Sequence, residues 1–106
     1  MADTHQFFEG YLPRKIEKNP EMVDSVDAII QFDIGGAGSW VVDLKNAPGS
    51  VREGTAADND CVVTCAKADW EKLLDNPAAV AMKLFLTGRL KASNLALANR
   101  LQAILR

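Results

Sequence analysis

Few side chains in this 106-residue chain are of a type that does chemistry, and their spacing limits what they can do. The one histidine, His5, lies in what reads as the first turn of a helix. A metal site needs a second imidazole or nearby thiolates, and no such group is close in sequence, so His5 reads as a surface or capping residue. Cys61 and Cys65 are four apart in a β-branched run. On a strand, at about 3.3 Å per residue, their Cα atoms stand about 13 Å apart, beyond the ~7 Å that a disulfide spans. They read as small buried hydrophobes, and apolar burial raises a thiol's pKa and makes it a poor nucleophile. Asp27, Asp33 and Asp43 fall on the polar sides of strands, whereas carboxylates used in acid–base work need burial to shift their pKa values. Gly35-Gly36-Ala37-Gly38 follows a strand, as a phosphate-cradling loop does. A phosphate loop must open a helix, yet Trp40-Val41-Val42-Asp43-Leu44 comes next, so the glycines read as a hairpin turn. No catalytic set, metal site or cofactor site emerges, and the expectation is a protein that is not an enzyme.

The elements that position these residues follow from periodicity. Thr4 is placed to cap a helix carrying Phe7, Phe8, Tyr11, Leu12 and Ile16, with Pro13 interrupting it and Asn19-Pro20 ending it. Met22 and Val23 suggest a short helical turn. Period two then takes over: Val26, Ala28, Ile30, Phe32 and Ile34 alternate with Asp27, Ile29, Gln31 and Asp33, which predicts a strand whose even residues face the core. Trp40, Val42 and Leu44 continue the alternation after the glycine turn, Ser50–Glu53 is a third strand and Cys61–Ala66 a fourth. Ala56–Asp60 reads as a polar loop. A helix with Trp70, Leu73 and Leu74 starts at Ala68-Asp69, a second runs over Ala78–Phe85 behind Pro77, Thr87–Ala92 is a fifth strand, and Ser93 caps a last helix. Three hairpin-spaced strands make a meander with one apolar face, which the helices must cover: an α+β layered fold, one domain over residues 1–106.

Composition agrees. At 48% apolar and 25% charged residues the chain has globular composition rather than that of a disordered segment. A formal charge of −2 makes it a poor nucleic-acid binder. The charge is uneven. Residues 1–66 hold 5 basic and 11 acidic groups, a net of −6, and residues 67–106 hold 7 and 3, a net of +4. No run approaches the ~18 apolar residues of a membrane span, and Met1–Gly10 has no secretory pattern. The helices are unusually apolar: Ala78–Leu86 is apolar around nearly its whole circumference, and Leu95, Leu97, Ala98, Leu101, Ile104 and Leu105 make a wide stripe. Such helices either fill a core or line an apolar cavity, and periodicity does not separate the two.

Three motifs, in order, resemble the sterol-binding domain of the sterol carrier protein type two family. The first is Gly38-Ser39-Trp40-Val41-Val42-Asp43-Leu44-Lys45-Asn46 followed by Gly49. The second is Asp60-Cys61-Val62-Val63-Thr64 leading into Ala68-Asp69-Trp70. The third is Gly88-Arg89-Leu90-Lys91. Leu95-Ala96-Leu97-Ala98 with Leu101 is similar to the family's last helix, and Ser93 stands where the family usually has glycine.

The resemblance implies a five-stranded mixed, mainly antiparallel sheet with helices over one face and the fourth strand reached by a crossover. It also implies non-enzymatic binding of a lipid (sterol, fatty acid, fatty acyl-CoA or phospholipid) in an apolar tunnel between sheet and helices, without a cofactor. The tunnel would be lined by Trp70, Leu73, Met82, Phe85, Leu97 and Leu101, with Phe32 and Trp40 below. The charge division, for its part, predicts that the basic C-terminal half meets anionic membranes during loading. The alternative is an interaction or dimerisation module, such as a homodimer, with the tunnel filled by side chains. Peroxisomal members end in a Ser-Lys-Leu-like address; this chain ends Ile104-Leu105-Arg106, so a cytoplasmic protein is expected.

Overall fold

The first helix comes in three parts: α1 (Thr4–Gln6), a π-helical turn (Phe7–Tyr11) and α2 (Leu12–Lys18). The computed structural model describes residues 3–100. Asp3, not Thr4, caps this helix: its carboxylate accepts from the Gln6 N–H at 3.0 Å, and that bond holds the Asp3 carboxyl below its ordinary pKa. Thr4 is buried instead, and both its N–H and its hydroxyl donate to Glu71 Oε2 at 3.0 Å. The π-helical turn has its cause in Pro13. A continuous α-helix would press the proline ring on the Glu9 carbonyl and leave that carbonyl without a donor. The wider turn takes up the mismatch, with the Leu12 N–H reaching back to the Phe7 carbonyl. Pro13 then falls in the first turn of α2, where no donor is needed.

Helix α3 (Glu21–Val26) is closed by Asp27 in the left-handed region, φ 48°, a conformation that aspartate tolerates better than most side chains. Val26, expected on the first strand, is therefore helical, and its side chain still joins the core. Five strands follow: β1 (Ile29–Gly35), β2 (Gly38–Asp43), β3 (Ser50–Glu53), β4 (Cys61–Ala66) and β5 (Leu90–Ala92). They form one sheet in the order β3-β2-β1-β4-β5. The β1–β2, β2–β3 and β4–β5 pairs are antiparallel, and β1–β4 is parallel. Phe32 stands opposite Trp40 on one side and Val63 on the other.

The expected inward face of β1 is the observed one. Ala28, Ile30, Phe32 and Ile34 share a buried cluster with Trp40, Val42, Leu44, Cys61, Val63 and Cys65 and with the helices. The opposite face departs from expectation. Ile29 is buried there with Val41 and Ala56, and Gln31 is only 8% exposed. The loop over residues 54–60 covers this face through hydrogen bonds. The Ala56 N–H donates to Gln31 Oε1 at 3.0 Å, and the Ile29 N–H donates to Asp60 Oδ2 at 2.9 Å.

The hairpin motif after β2 is a structural clamp. The Asp43 carboxylate accepts from the Lys45 and Asn46 N–H groups at 2.9 and 3.0 Å and from Asn46 Nδ2 at 3.1 Å. Partial burial would raise its pKa, but the Asn46 and Lys45 bonds outweigh it and hold the carboxyl below the ordinary value. Gly49, φ 90°, lies under α2 and α3: a Cβ there would stand 3.0 Å from Ile16 Cγ2 and 3.2 Å from Val23 Cγ2.

Helices α4 (Lys67–Asp75) and α5 (Pro77–Leu86) lead to β5, and α6 (Leu95–Arg100) follows it. Pro77 opens α5, where its missing donor costs nothing. The fifth strand starts later than the expected Thr87. The Thr87 hydroxyl donates to the Lys83 carbonyl at 2.9 Å and Gly88, φ 74°, turns the chain first. Asn94 rather than Ser93 caps α6, its Oδ1 accepting from the Leu97 N–H at 3.2 Å. Ser93 Oγ accepts instead from the Val62 N–H at 2.8 Å, tying the helix start to β4. The architecture is thus α+β, a five-stranded mixed sheet with helices over one face.

Candidate functional site

The space between sheet and helices is filled by rings. Strand register sets Phe32 beside Trp40, helix periodicity brings Trp70 and Leu73 down from α4, and the π-helical turn supplies Phe7 and Phe8. The Phe8 ring stacks on Trp40 (centroids 4.7 Å apart, planes at 9°) and on Trp70 (5.8 Å, 6°). Phe32 lies 5.2 Å from Phe8 and 5.4 Å from Trp70. Phe7 meets Phe8 and Trp70 edge-on at 5.0 and 5.9 Å.

Of the residues expected to line a tunnel, Phe32, Trp40, Trp70 and Leu73 come together in this interior, and Leu97 is buried on α6. Met82 and Phe85 do not join them. They are 64% and 40% exposed on the outer side of α5, while Leu84 on the same helix is buried. A helix that is apolar all round carries no sequence mark of which side meets the sheet, and the side chosen here is that of Val80, Ala81 and Leu84. Leu101 lies outside the described residues. Phe7 and Phe8 were missed as neighbours of the tryptophans, although their spacing with Leu12 and Ile16 marks an inward helix face.

Two polar atoms stand out in the apolar interior. The Nε1–H groups of Trp40 and Trp70 are buried and, among the described residues, have no hydrogen-bond partner. A buried donor left unpaired costs about 1–3 kcal/mol, so each is ready to donate to an oxygen that comes within reach.

A second feature lies outside. A surface groove of about 770 Å³ runs along the first helix, with Phe7, Tyr11 and Leu74 among its apolar walls and Arg14, Lys15 and Lys18 among its polar ones. Tyr11 stacks on Phe7 at 5.7 Å, and the Lys15 ammonium sits 5.8 Å from the Tyr11 ring centre. Phe7 is the wall shared between this groove and the aromatic interior. Tyr11, Arg14 and Lys18 recur at spacings of three and four, which puts them on one helix face beside Asp3 at the groove's end.

His5 is at the surface and the two cysteines are in the core, where the sequence pattern put them. His5 is exposed, its ring edge-on to Trp40 at 5.2 Å. Both cysteines are free and buried. The Cys61 thiol donates to the Asn94 carbonyl at 3.7 Å. Burial, followed by the nearby Asp69 carboxylate, pushes the Cys65 thiol up to about 11. Among the described residues no group of three or more His, Cys, Asp or Glu side chains is placed to hold a metal ion, and no helix is long and apolar enough to cross a membrane.

Known proteins share this sequence and fold. Sterol carrier protein 2 of Rattus norvegicus is 34% identical over an alignment of 97 residues that covers 83% of this chain and 17% of that protein. Hydroxysteroid dehydrogenase-like protein 2 of Rattus norvegicus is 34% identical over 89 residues, 80% of this chain and 17% of that protein. The chain thus spans about a sixth of the length of these curated relatives. Among solved structures, the apo form of Sterol Carrier Protein 2 from Yarrowia lipolytica superposes with a TM-score of 0.73 at 28% identity, covering 95% of this chain and 82% of that one. The SCP-2 sterol transfer family matches residues 8–106, nearly the whole chain, and the chain belongs to that family.

Proposed function

We propose that this chain is a lipid carrier that takes an amphiphile into an apolar tunnel between sheet and helices. Its family binds and transfers lipids and is generally not catalytic. The finer reading is that Phe32, Trp40, Trp70, Leu73 and Leu97 line the tunnel, with Met82 and Phe85 left outside it. A long-chain acyl lipid (fatty acid, fatty acyl-CoA or phospholipid) is the leading ligand class, and a sterol fits if the chamber is wide enough. The driving force is desolvation, about 0.8 kcal/mol per CH₂ taken from water. No bond is made or broken and no cofactor takes part. Charge favours an approach to anionic membranes through the basic half.

The observation that carries this reading is the pair of unpartnered indole donors, Trp40 Nε1 and Trp70 Nε1, buried in an otherwise apolar interior. Buried polar groups are almost always paired, and the oxygen of a carboxyl, ester or hydroxyl group completes them. A second reading has its own support. Phe8 lies stacked against both tryptophans, which suits an interaction or dimerisation module whose tunnel is filled by side chains.

Native mass spectrometry of the purified protein, joined to indole N–H NMR, separates the two. The carrier gives a lipid-sized mass increment, and oleic acid moves at least one indole N–H resonance downfield. A protein that stays at its polypeptide mass after exposure to sterol, fatty acid, acyl-CoA and phospholipid overturns the carrier. A doubled mass in that case assigns the dimerisation module.

A further inference from the structure

Helix α5 presents a surface that the interior site does not use. Of its ten residues only Lys83 is charged. Val80, Ala81 and Leu84 pack against the core. Met82, Phe85 and Leu86 point the other way, 64%, 40% and 76% exposed. Their spacing of three and four puts them side by side on one face, and neighbouring large apolar groups in water mark a contact surface where single ones do not.

From α5 onward the charged residues are of one sign, although α4 beside it carries Asp69, Glu71 and Asp75. Residues 76–106 contain five basic residues and no Asp or Glu. Lys83 sits on α5 itself, and Lys91 on β5 is exposed. Arg89, in the turn after α5, keeps 64% of its side chain exposed despite an ion pair with Asp69 at 3.8 Å.

We infer that the outer face of α5 docks the chain onto an anionic bilayer. Met82, Phe85 and Leu86 enter the boundary between headgroups and acyl chains, and Lys83 and Arg89 lie at the level of the phosphates. An interfacial helix has this combination of apolar side chains and basic flanks. The occupant is a bilayer and not a second copy, because two copies joined on this face would bring together two segments of the same positive charge. The inference deepens the lipid-carrier reading and rests on it, since α5 is also one wall over the proposed chamber. A helix seated in the interface brings that chamber to the source of its cargo.

The experiment is flotation with vesicles of phosphatidylcholine alone or with about one-third phosphatidylglycerol, at low salt. Wild type floats with the anionic vesicles and not with the neutral ones. Leu86→Asp weakens flotation tenfold or more while leaving the thermal transition unchanged, since Leu86 is not part of the core. Lys83→Glu also weakens it about tenfold, because it reverses one charge at the surface. A Leu86→Cys variant carrying an environment-sensitive dye shows a blue shift with anionic vesicles; the native thiols are buried and escape the label. Flotation that ignores both substitutions overturns the docking face. Failure to float, with a monomer–dimer equilibrium abolished by Leu86→Asp, also overturns it and gives the face to self-association. Uptake of a fluorescent fatty acid in free solution is measured on the same proteins. Uptake without docking leaves the carrier standing and removes the docking face, and docking without uptake does the reverse.

Discussion

The Cys65 thiol is protected by its surroundings. Its folded-state pKa of about 11 against an ordinary 9.0 means that the folded protein holds this proton more tightly than the unfolded chain. The stability tied to that proton is complete below about pH 9 and is lost as the pH rises towards 11. Iodoacetamide at about pH 8 should leave both thiols unmodified in the native protein and label both in denaturant. Wild type should lose more of its melting temperature between pH 9 and 11 than Cys65→Ala does. Native labelling within minutes contradicts the burial. The inert cysteines were legible in the sequence because a β-branched strand fixes their fate. The helix caps were not. Asp3-Thr4 and Ser93-Asn94 are each two adjacent residues able to cap. A distant partner chose between them: Glu71 took Thr4, and the Val62 N–H took Ser93.

Among the elements, β1 was the most legible, since alternation at period two marks an inward face directly. Phe32→Ala should cost about 3–5 kcal/mol, because Phe32 is fully buried between Trp40, Val63 and the rings above. Asp33→Val should cost far less, no more than the bond from Gln31 Nε2 at 2.9 Å, about 1 kcal/mol. Equal losses in denaturant melts would mean that the register is wrong. What stayed hidden on this strand is its other face. Ile29 and Gln31 looked solvated because the loop that covers them binds through Asp60 and the Ala56 N–H, which leave no periodic mark. The same reason hid the orientation of α5. Its apolar circumference gave the right helix and the right bounds to within a residue, and packing against α4 and β5 decided that Met82 and Phe85 face outward.

At the scale of the molecule the charge division matters most. With a net −6 on residues 1–66 and +4 on the rest, the protein would turn its C-terminal part towards an anionic surface brought near it. Lipid transfer between anionic vesicles should slow sharply between 0.1 M and 1 M salt, as the Debye length falls from about 10 Å to about 3 Å. Lys83→Glu/Lys91→Glu should slow it at low salt by tenfold or more, each basic group contributing about 1 kcal/mol. Arg100 is a poor probe of the same effect, because its guanidinium donates to the Val26 carbonyl at 3.2 Å and holds α6 to α3. Transfer rates indifferent to salt and to charge reversal would leave aqueous diffusion of free lipid as the route. The fold class was readable at this scale because the order of patterns admits few topologies. Which helix residues turn inward was readable only in part, since an apolar circumference does not mark the buried side.

The parallel pairing of β1 with β4 also has a consequence in time. On the ribosome β1 is complete at Gly35, but its partner strand is not complete until Ala66. At about 5–20 residues per second that is a wait of about 2–6 s. During the wait one edge of β1 is open, and an open, apolar strand edge invites pairing with other chains. Helices α4, α5 and α6 are not yet made. The helices already made are the first one and α3, and Phe8 of the first is the ring that lies against Trp40 and Phe32 in the finished protein. The N-terminal helix is thus made before the apolar face that it covers, and its Phe8 is in place to shield that face as soon as β1 and β2 pair.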